Sequence, residues 1–286
     1  MTLYSIKTKR SLVSASPNLL AEIKIAGSGQ NNLRGAASAA CLLGLGLAVK
    51  TAHAESHLAG SDYISRPLVL PKGVLRIDGG PRRPYDGGQV MPGGQLQVFV
   101  NDGQDVALLA PGAAYGVIDN LELGAVWPLV LSPDLDLLDL SVYGKYQLQR
   151  GQIEVAAYGE IRIPVQNDLE LAGGVPLYLH LASNLRLETG GFLRIVFGDD
   201  TNFVVDIPAS LPIQVSPQVF VGPEVGIHIV DFKNVALPLG VIAGYTLGNG
   251  IASIGDLFGR LTMVDVAHGA DSVRFDIGAE LYFDLL

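Results

Sequence analysis

Residues 138–165 show the pattern that indicates the fold of the chain. They read LDLSVYGKYQLQ (138–149) and, after a short break, IEVAAYGEIRIPV (153–165). In the first string, apolar residues, Gly144 and Tyr146 take every second position, and Asp, Ser, Tyr, Lys and Gln take the positions between. Such alternation with a period of two is typical of a strand that has one apolar face and one polar face. With Gly151-Gln152 between them, the two strings predict a β-hairpin.

The hairpin unit repeats along the chain every 32 to 34 residues or so. Tight-turn signals fall at Asp119-Asn120, Gly151-Gln152, Ser183-Asn184, Pro217-Gln218 and Gly248-Asn249-Gly250. A more polar connection lies between each pair of consecutive tight turns. We therefore predict twelve strands, near residues 68–78, 105–118, 121–131, 138–150, 153–165, 174–181, 185–198, 203–216, 219–232, 237–248, 253–266 and 273–285.

One face of these strands is strongly apolar. Across seven of them it carries no Asp, Glu, Lys or Arg, and charged residues make up only 16% of the chain. A soluble sandwich has the same period, but its polar faces must then cover the whole outside. We therefore predict a transmembrane antiparallel up-and-down β-barrel of about twelve strands, with apolar residues outward and polar residues in the lumen. A soluble secreted β-protein is the alternative.

Residues 1–54 read as an extended leader that contains a signal peptide. Arg34 precedes an apolar core that ends at Val49, and Ala52-His53-Ala54 has the form of a processing site. This order of positive residue, apolar core and small-residue tripeptide is typical of export signals. We expect cleavage after Ala54, which leaves 55–286 as the barrel.

Charge and composition exclude several functions. The formal net charge is −9, and residues 1–54 hold six basic residues against Glu22 alone, so residues 55–286 are strongly acidic. An acidic body argues against a nucleic-acid partner, because phosphates must be neutralised by Lys and Arg. Cys41 is the only cysteine, which excludes a disulfide framework and a cysteine metal site. No metalloprotease, phosphate-loop or nucleophile-elbow motif is present, so we expect no enzyme, metal or cofactor.

The first tight turn carries a resemblance. Asp119-Asn120-Leu121-Glu122-Leu123-Gly124-Ala125, preceded by Tyr115-Gly116-Val117, resembles the strand–turn–strand of Gram-negative outer-membrane β-barrel proteins. Arg66-Pro67-Leu68 to Leu75-Arg76-Ile77-Asp78 is similar to the first strand of poorly characterised members, including myxobacterial ones. The resemblance implies a place in the cell outer membrane, with the bilayer and the barrel-assembly machinery as partners.

The predicted lumen collects the charged residues, and from them we select pore-lining candidates. They are Lys145, Glu160, Arg162, Arg186, Glu188, Arg194, Asp206, Glu224, His228, Arg260, Arg274 and Glu280. The acidic excess lies in the wider set of inward charges, which adds Arg76 and seven carboxylates: Asp78, Glu122, Asp139, Glu154, Asp256, Asp276 and Asp284. An acidic excess in a narrow polar channel favours cations mildly. We therefore predict a narrow porin-like channel for small polar solutes.

Two alternatives to an open channel remain. One is a barrel whose lumen is sealed by paired charges and which acts as a structural or surface-interaction protein through its extracellular loops. The other is a lipid hydrolase built on His268, which lies close to Ser272 in an outer loop. The longest predicted outer loop, 79–104, contains a strand-like patch at 95–100 that either extends outward or folds in.

Overall fold

The computed structural model describes residues 62–78, 83–84, 90–91, 95–100, 106–132, 135–165, 168–198, 201–248, 253–267 and 273–285. The expected leader and its cleavage site lie outside these residues. Within the described residues, no helix has the length and apolar character needed to cross a membrane.

Twelve antiparallel strand positions follow one another around a barrel, and several consist of two segments separated by a bulge or a short break. They are β1 (Val74–Asp78 and Gln95–Val100), β2 (Val106–Ala110 and Gly112–Ile118), β3 (Leu121–Val126 and Leu129–Ser132), β4 (Asp136–Leu137 and Leu140–Gln149), β5 (Ile153–Ile163), β6 (Leu169–Ala182), β7 (Leu185–Phe197), β8 (Asn202–Ser210 and Ile213–Ser216), β9 (Val219–Val230), β10 (Asn234–Ala236 and Leu239–Gly248), β11 (Ser253–Met263) and β12 (Val273–Asp284).

The ring is closed between β1 and β12. Leu75 pairs with Phe283 of β12 on one side and with Tyr115 of β2 on the other. A closed ring satisfies the main-chain hydrogen bonds of every strand, which is the condition for crossing a bilayer with strands. The predicted fold, a twelve-strand antiparallel β-barrel, is confirmed.

The first strand differs from its prediction, because residues 79–94 are an insertion within β1. On β2, Gly112 pairs with Asp78 and Ala110 pairs with Gln95, so the two segments of β1 continue one another. The patch at 95–100 is therefore the second half of β1 and not an outer extension. Inside the insertion, Arg83–Pro84 pairs with Val90–Met91, and both segments lie against Asn202–Ser210 of β8 on the far wall.

The predicted alternation of faces is present around the barrel. On β11, for example, Asp256 is fully buried whereas the neighbouring Leu257 is 45% exposed. Large exposed apolar side chains, Tyr146 and Phe275 among them, occur on the outer face of the described strands, while buried charged side chains and aromatic ones such as Tyr143 and Phe220 occupy the inside. This is the inside-out pattern of a membrane barrel and the reverse of a soluble sandwich.

The short connections lie at one end of the barrel, together with both chain ends of the ring. Pairs such as Ile118 with Leu121 and Ala182 with Leu185 flank two-residue turns, as predicted. We call this the tight-turn end. The predicted turn at Gly248-Asn249-Gly250 lies mostly outside the described residues. The register of β10 and β11 sets Gly248 opposite Ser253, with an irregularity between Leu247 and Gly248.

Candidate functional site

Residues 62–73 do not form a strand but lie inside the ring at its tight-turn end. We call this segment the plug. Its Tyr63, Ile64, Leu68, Val69 and Leu70 side chains are all at most 4% exposed. The prediction of a strand from residue 68 is therefore wrong for 68–73, and β1 begins at Val74.

Two prolines explain why the plug departs from the barrel wall. Pro67 and Pro71 have no N–H to donate to a strand neighbour, and proline is confined to strand edges and bulges. The chain then turns sharply, with the Val74 N–H donating to the Pro71 carbonyl (3.2 Å) and Gly73 at a φ of 82°. The left-handed conformation at Gly73 lets the chain enter β1 in the correct direction.

Charged lumen side chains bind the main chain of the plug. The Glu154 carboxylate accepts the Leu68 N–H at 2.9 Å, and the Glu122 carboxylate accepts the Leu70 N–H at 3.0 Å. Lys145 Nζ donates to the Leu68 carbonyl at 3.0 Å and pairs with Glu122 at 2.9 Å. The inward charges thus supply hydrogen-bond partners for main-chain groups of the plug that pair with no strand.

Arg186 holds the other half of the plug. Its Nη1 donates to the carbonyl oxygens of Ile64 (2.7 Å) and Arg66 (2.8 Å), and the same guanidinium pairs with Glu188. The guanidinium carbon also lies 4.1 Å from the ring centroid of Tyr178. The Arg186 side chain is fully buried, so its charge depends on these contacts for compensation.

The side chains of the plug pack into separate places on the wall. The Arg66 guanidinium pairs with Asp256 at 2.7 Å and lies 4.3 Å from the Tyr282 ring centroid. The Tyr63 ring stacks on Phe220 with centroids 3.8 Å apart and an interplanar angle of 12°. These contacts fix one orientation of the plug, because each uses a different wall strand.

Carboxylates recur on alternate strands around the plug. One lies on the inward face of each odd strand from β3 to β11, in the half nearer the tight-turn end: Glu122, Glu154, Glu188, Glu224 and Asp256. None is more than 8% exposed. We call this set the carboxylate ring. It follows the hairpin repeat of the sequence, since each repeat supplies one member.

Farther from the tight-turn end, the lumen is less tightly filled. Arg162 pairs with Glu170 (2.9 Å), Arg194 lies 3.5 Å from the same carboxylate, and Asp206 contacts His228 at 2.6 Å. These side chains keep 12–19% exposure, apart from Asp206 at 3%. A recess of about 10 Å³, which has room for a single water, is bordered by Arg162, Glu170, Arg194 and Asp206 together with Tyr158 and Phe192.

All twelve pore-lining candidates lie on the inward face, and most are paired with one another or with the carboxylate ring. Arg260 binds Glu224 at 2.5 Å, Arg274 lies 3.3 Å from Asp276, and Glu280 accepts a hydrogen bond from Tyr282. Lys145 and Arg186 bind the plug. Their part in conduction stays a prediction.

The sequence reasoning missed the plug residues, above all Tyr63 and Arg66. The signal that could have found them is the loss of alternation between two prolines in 66–71. His268 and Ser272 lie outside the described residues. Among the residues that the structure describes, His, Cys, Asp and Glu form no cluster of three or more that could hold a metal ion.

Solved structures with a similar fold include outer-membrane porins and channels. The chain is similar to the NanC porin, with a TM-score of 0.52 and 10% identity over 65% of this chain and 98% of the porin. It is also similar to an outer membrane channel from Pseudomonas putida F1, with a TM-score of 0.50 and 14% identity over 75% of this chain and 97% of the channel. At these identities the likeness establishes the fold, a closed antiparallel β-barrel. Neither the family models nor the curated proteins compared with the chain match it.

Proposed function

We propose that the chain is a non-enzymatic, porin-like channel of the cell outer membrane for small polar solutes, closed in this conformation by the plug. The observation that carries the proposal is a charged lumen inside an apolar belt. Buried charges are costly even when they are paired, and apolar residues of similar volume are often more stable. A lumen built from charged residues on nearly every strand is therefore better explained by passage of polar solutes than by stability.

The plug is attached so that it can leave without opening the barrel. The first wall pairing of the chain is at Val74, which pairs with Asp284. Withdrawal of 62–72 therefore breaks hydrogen bonds and ion pairs but no strand pairing. It would leave a lining with an excess of carboxylates from the ring, which favours cations.

Single-channel conductance in a planar bilayer tests the proposal. We expect rare small steps from the unaltered protein, because the plug fills the tight-turn end. Arg66→Ala removes the pair with Asp256 and should give frequent steps with cation preference. Lys72→Ala, at an exposed position of the same segment, is the matched control and should behave like the unaltered protein.

A sealed barrel with a structural or surface-interaction role is the second candidate. The filled tight-turn end and the small recess favour it. Barrels that insert but never conduct, with and without Arg66→Ala, would replace the channel proposal by this one. Insertion by the barrel-assembly machinery and the narrower resemblance to myxobacterial members stay predictions from the sequence.

A further inference from the structure

The wall around the plug binds the main chain of residues 64–70. Five hydrogen bonds join its charged side chains to main-chain atoms of residues 64–70. Two main-chain N–H groups donate to carboxylates, and three carbonyl oxygens accept from Lys145 or Arg186. Main-chain groups are present in any peptide. This part of the recognition therefore supplies affinity that does not depend on sequence, as in other peptide sites that bind main-chain groups.

The wall also offers side-chain places in a fixed order. Phe220 stacks on the aromatic ring at position 63. Asp256 and Tyr282 contact the guanidinium at position 66. Leu68 and Val69 pack with Ala156 and Tyr178, and Leu70 packs in the neighbouring apolar cluster. The order is aromatic, then basic three residues later, then aliphatic.

From these contacts we propose that the tight-turn half of the lumen is a peptide-binding site, which residues 62–73 occupy in cis. Its ligand class is a short peptide with an aromatic residue, a basic residue three positions later, and an aliphatic run after the basic residue. The inference rests on the proposed function in one respect, since the plug must leave for a solute to enter. It deepens that function by naming the solute class.

A free peptide competes poorly with a tethered plug. A short tether gives the plug an effective concentration at its site in the millimolar range. An added peptide must therefore be present at a higher concentration, or the binding of the plug must be weakened. Arg66→Asp weakens the plug alone, because it sets a carboxylate against Asp256 and leaves the wall unchanged. The experiment therefore uses the full chain with this one substitution.

The test is binding of a fluorescein-labelled peptide DYISRPLVLPKG, the sequence of residues 62–73, to detergent-refolded protein. Fluorescence anisotropy should show binding at least about tenfold tighter to the Arg66→Asp chain than to the unaltered chain. The same peptide methylated on the main-chain nitrogens of Leu68 and Leu70 should lose most of this affinity, because Glu154 and Glu122 then have no N–H to accept. A scrambled peptide of the same composition is the second control.

A separate labelling experiment shows whether the plug occupies the lumen, so that a failure of the peptide to bind can be interpreted. Val69 is fully buried, and Val69→Cys in a Cys41→Ser chain should resist a hydrophilic maleimide when the plug is in place. Labelling without peptide binding would overturn the inference, and so would equal binding of the scrambled peptide. A chain carrying both Tyr63→Ala and Arg66→Asp that stays unlabelled and binds no peptide would also overturn it, because the site would then not exchange its occupant.

Conductance distinguishes this inference from the proposed function. Steps from the Arg66→Asp chain without peptide binding would leave the channel standing and remove the peptide site. Peptide binding without any steps would leave the site standing and remove the channel.

Discussion

Glu122 shows how much a single residue can connect in this lumen. Its carboxylate accepts the Leu70 N–H of the plug and pairs with Lys145 at 2.9 Å and Arg76 at 3.3 Å, and it also accepts the Tyr143 hydroxyl at 3.1 Å. A fully buried carboxylate is stable only while such partners remain. Each partner therefore bears on the stability of both the wall and the plug.

Removing Lys145 should be costly. Lys145→Met takes away a cation that binds both Glu122 and the Leu68 carbonyl, so a buried carboxylate loses part of its compensation. We expect the free energy of unfolding to fall by about 3 kcal/mol, the scale for breaking a buried ion pair. Urea unfolding of the refolded protein in lipid vesicles measures it.

The same chemical change at an exposed position is the control for Lys145. Lys72→Met should change the stability by no more than about 0.5 kcal/mol. Equal losses for the two variants would show that the Lys145 contacts do not stabilise the fold.

At the scale of elements, the main chain of the plug passes close to Gly116 of β2. A Cβ atom built there would lie 1.8 Å from the carbonyl oxygen of Pro71, which is far inside van der Waals contact. The Gly73 N–H also donates to the Gly116 carbonyl at 2.8 Å. The absence of a side chain at Gly116 thus lets the plug lie against the wall.

Gly116→Ala should therefore displace the plug while the barrel remains. Pro71 must move by more than an ångström, and the hydrogen bonds at Leu68 and Leu70 move with it. We expect Val69→Cys to become reactive to a hydrophilic maleimide in this background, whereas the strand content by circular dichroism stays the same.

Gly159 of β5 offers a matched control for that displacement, because a Cβ there would meet no atom within 4 Å. Gly159→Ala should leave Val69→Cys protected. Protection in both backgrounds would mean that the close approach at Gly116 does not hold the plug.

Elements with strict alternation could be predicted from the sequence, and those without it could not. The hairpin of β4 and β5 was readable because one face is apolar and the other polar over its whole length. Residues 62–73 follow no period, since their buried side chains pack against several strands of a wall formed far along the chain. The sequence predicts one outer loop over 79–104, because sequence spacing gives no sign that Asp78 and Gln95 continue one strand.

The sequence predicts which residues face the lumen but not which of them pair with one another. Alternation correctly placed Arg186, Glu224 and Arg260 on the inward face. It could not give the pairing of Arg186 with plug carbonyls or of Arg260 with Glu224, because these contacts depend on the register and closure of the ring. Inward placement is a local property of a strand, whereas pairing across a lumen is a property of the whole barrel.

For the whole molecule, a bilayer must supply the surroundings of the apolar belt. Leu257, Leu261 and Ile277 on β11 and β12 are 45–51% exposed, although such side chains are normally buried in a water-soluble protein. An exposed apolar surface that continues around a closed ring is far larger than the patches of soluble monomers. The loss of stability caused by a charged substitution on the belt should therefore depend on its depth in the bilayer, and it should be greatest at the middle of a strand. We call this dependence the depth scale.

That depth scale predicts different costs for the same substitution. Leu257→Arg lies near the middle of β11, so the arginine faces hydrocarbon and should lower the free energy of unfolding by about 2–4 kcal/mol. Ile153→Arg lies at the first residue of β5, where the side chain reaches the interface, and should cost about 0–1 kcal/mol. Urea unfolding in lipid vesicles gives both values, and the unboiled gel mobility of each variant reports that the barrel has formed. Equal costs at the two depths, or equal stability of the unaltered protein with and without lipid or detergent, would contradict a membrane-spanning belt.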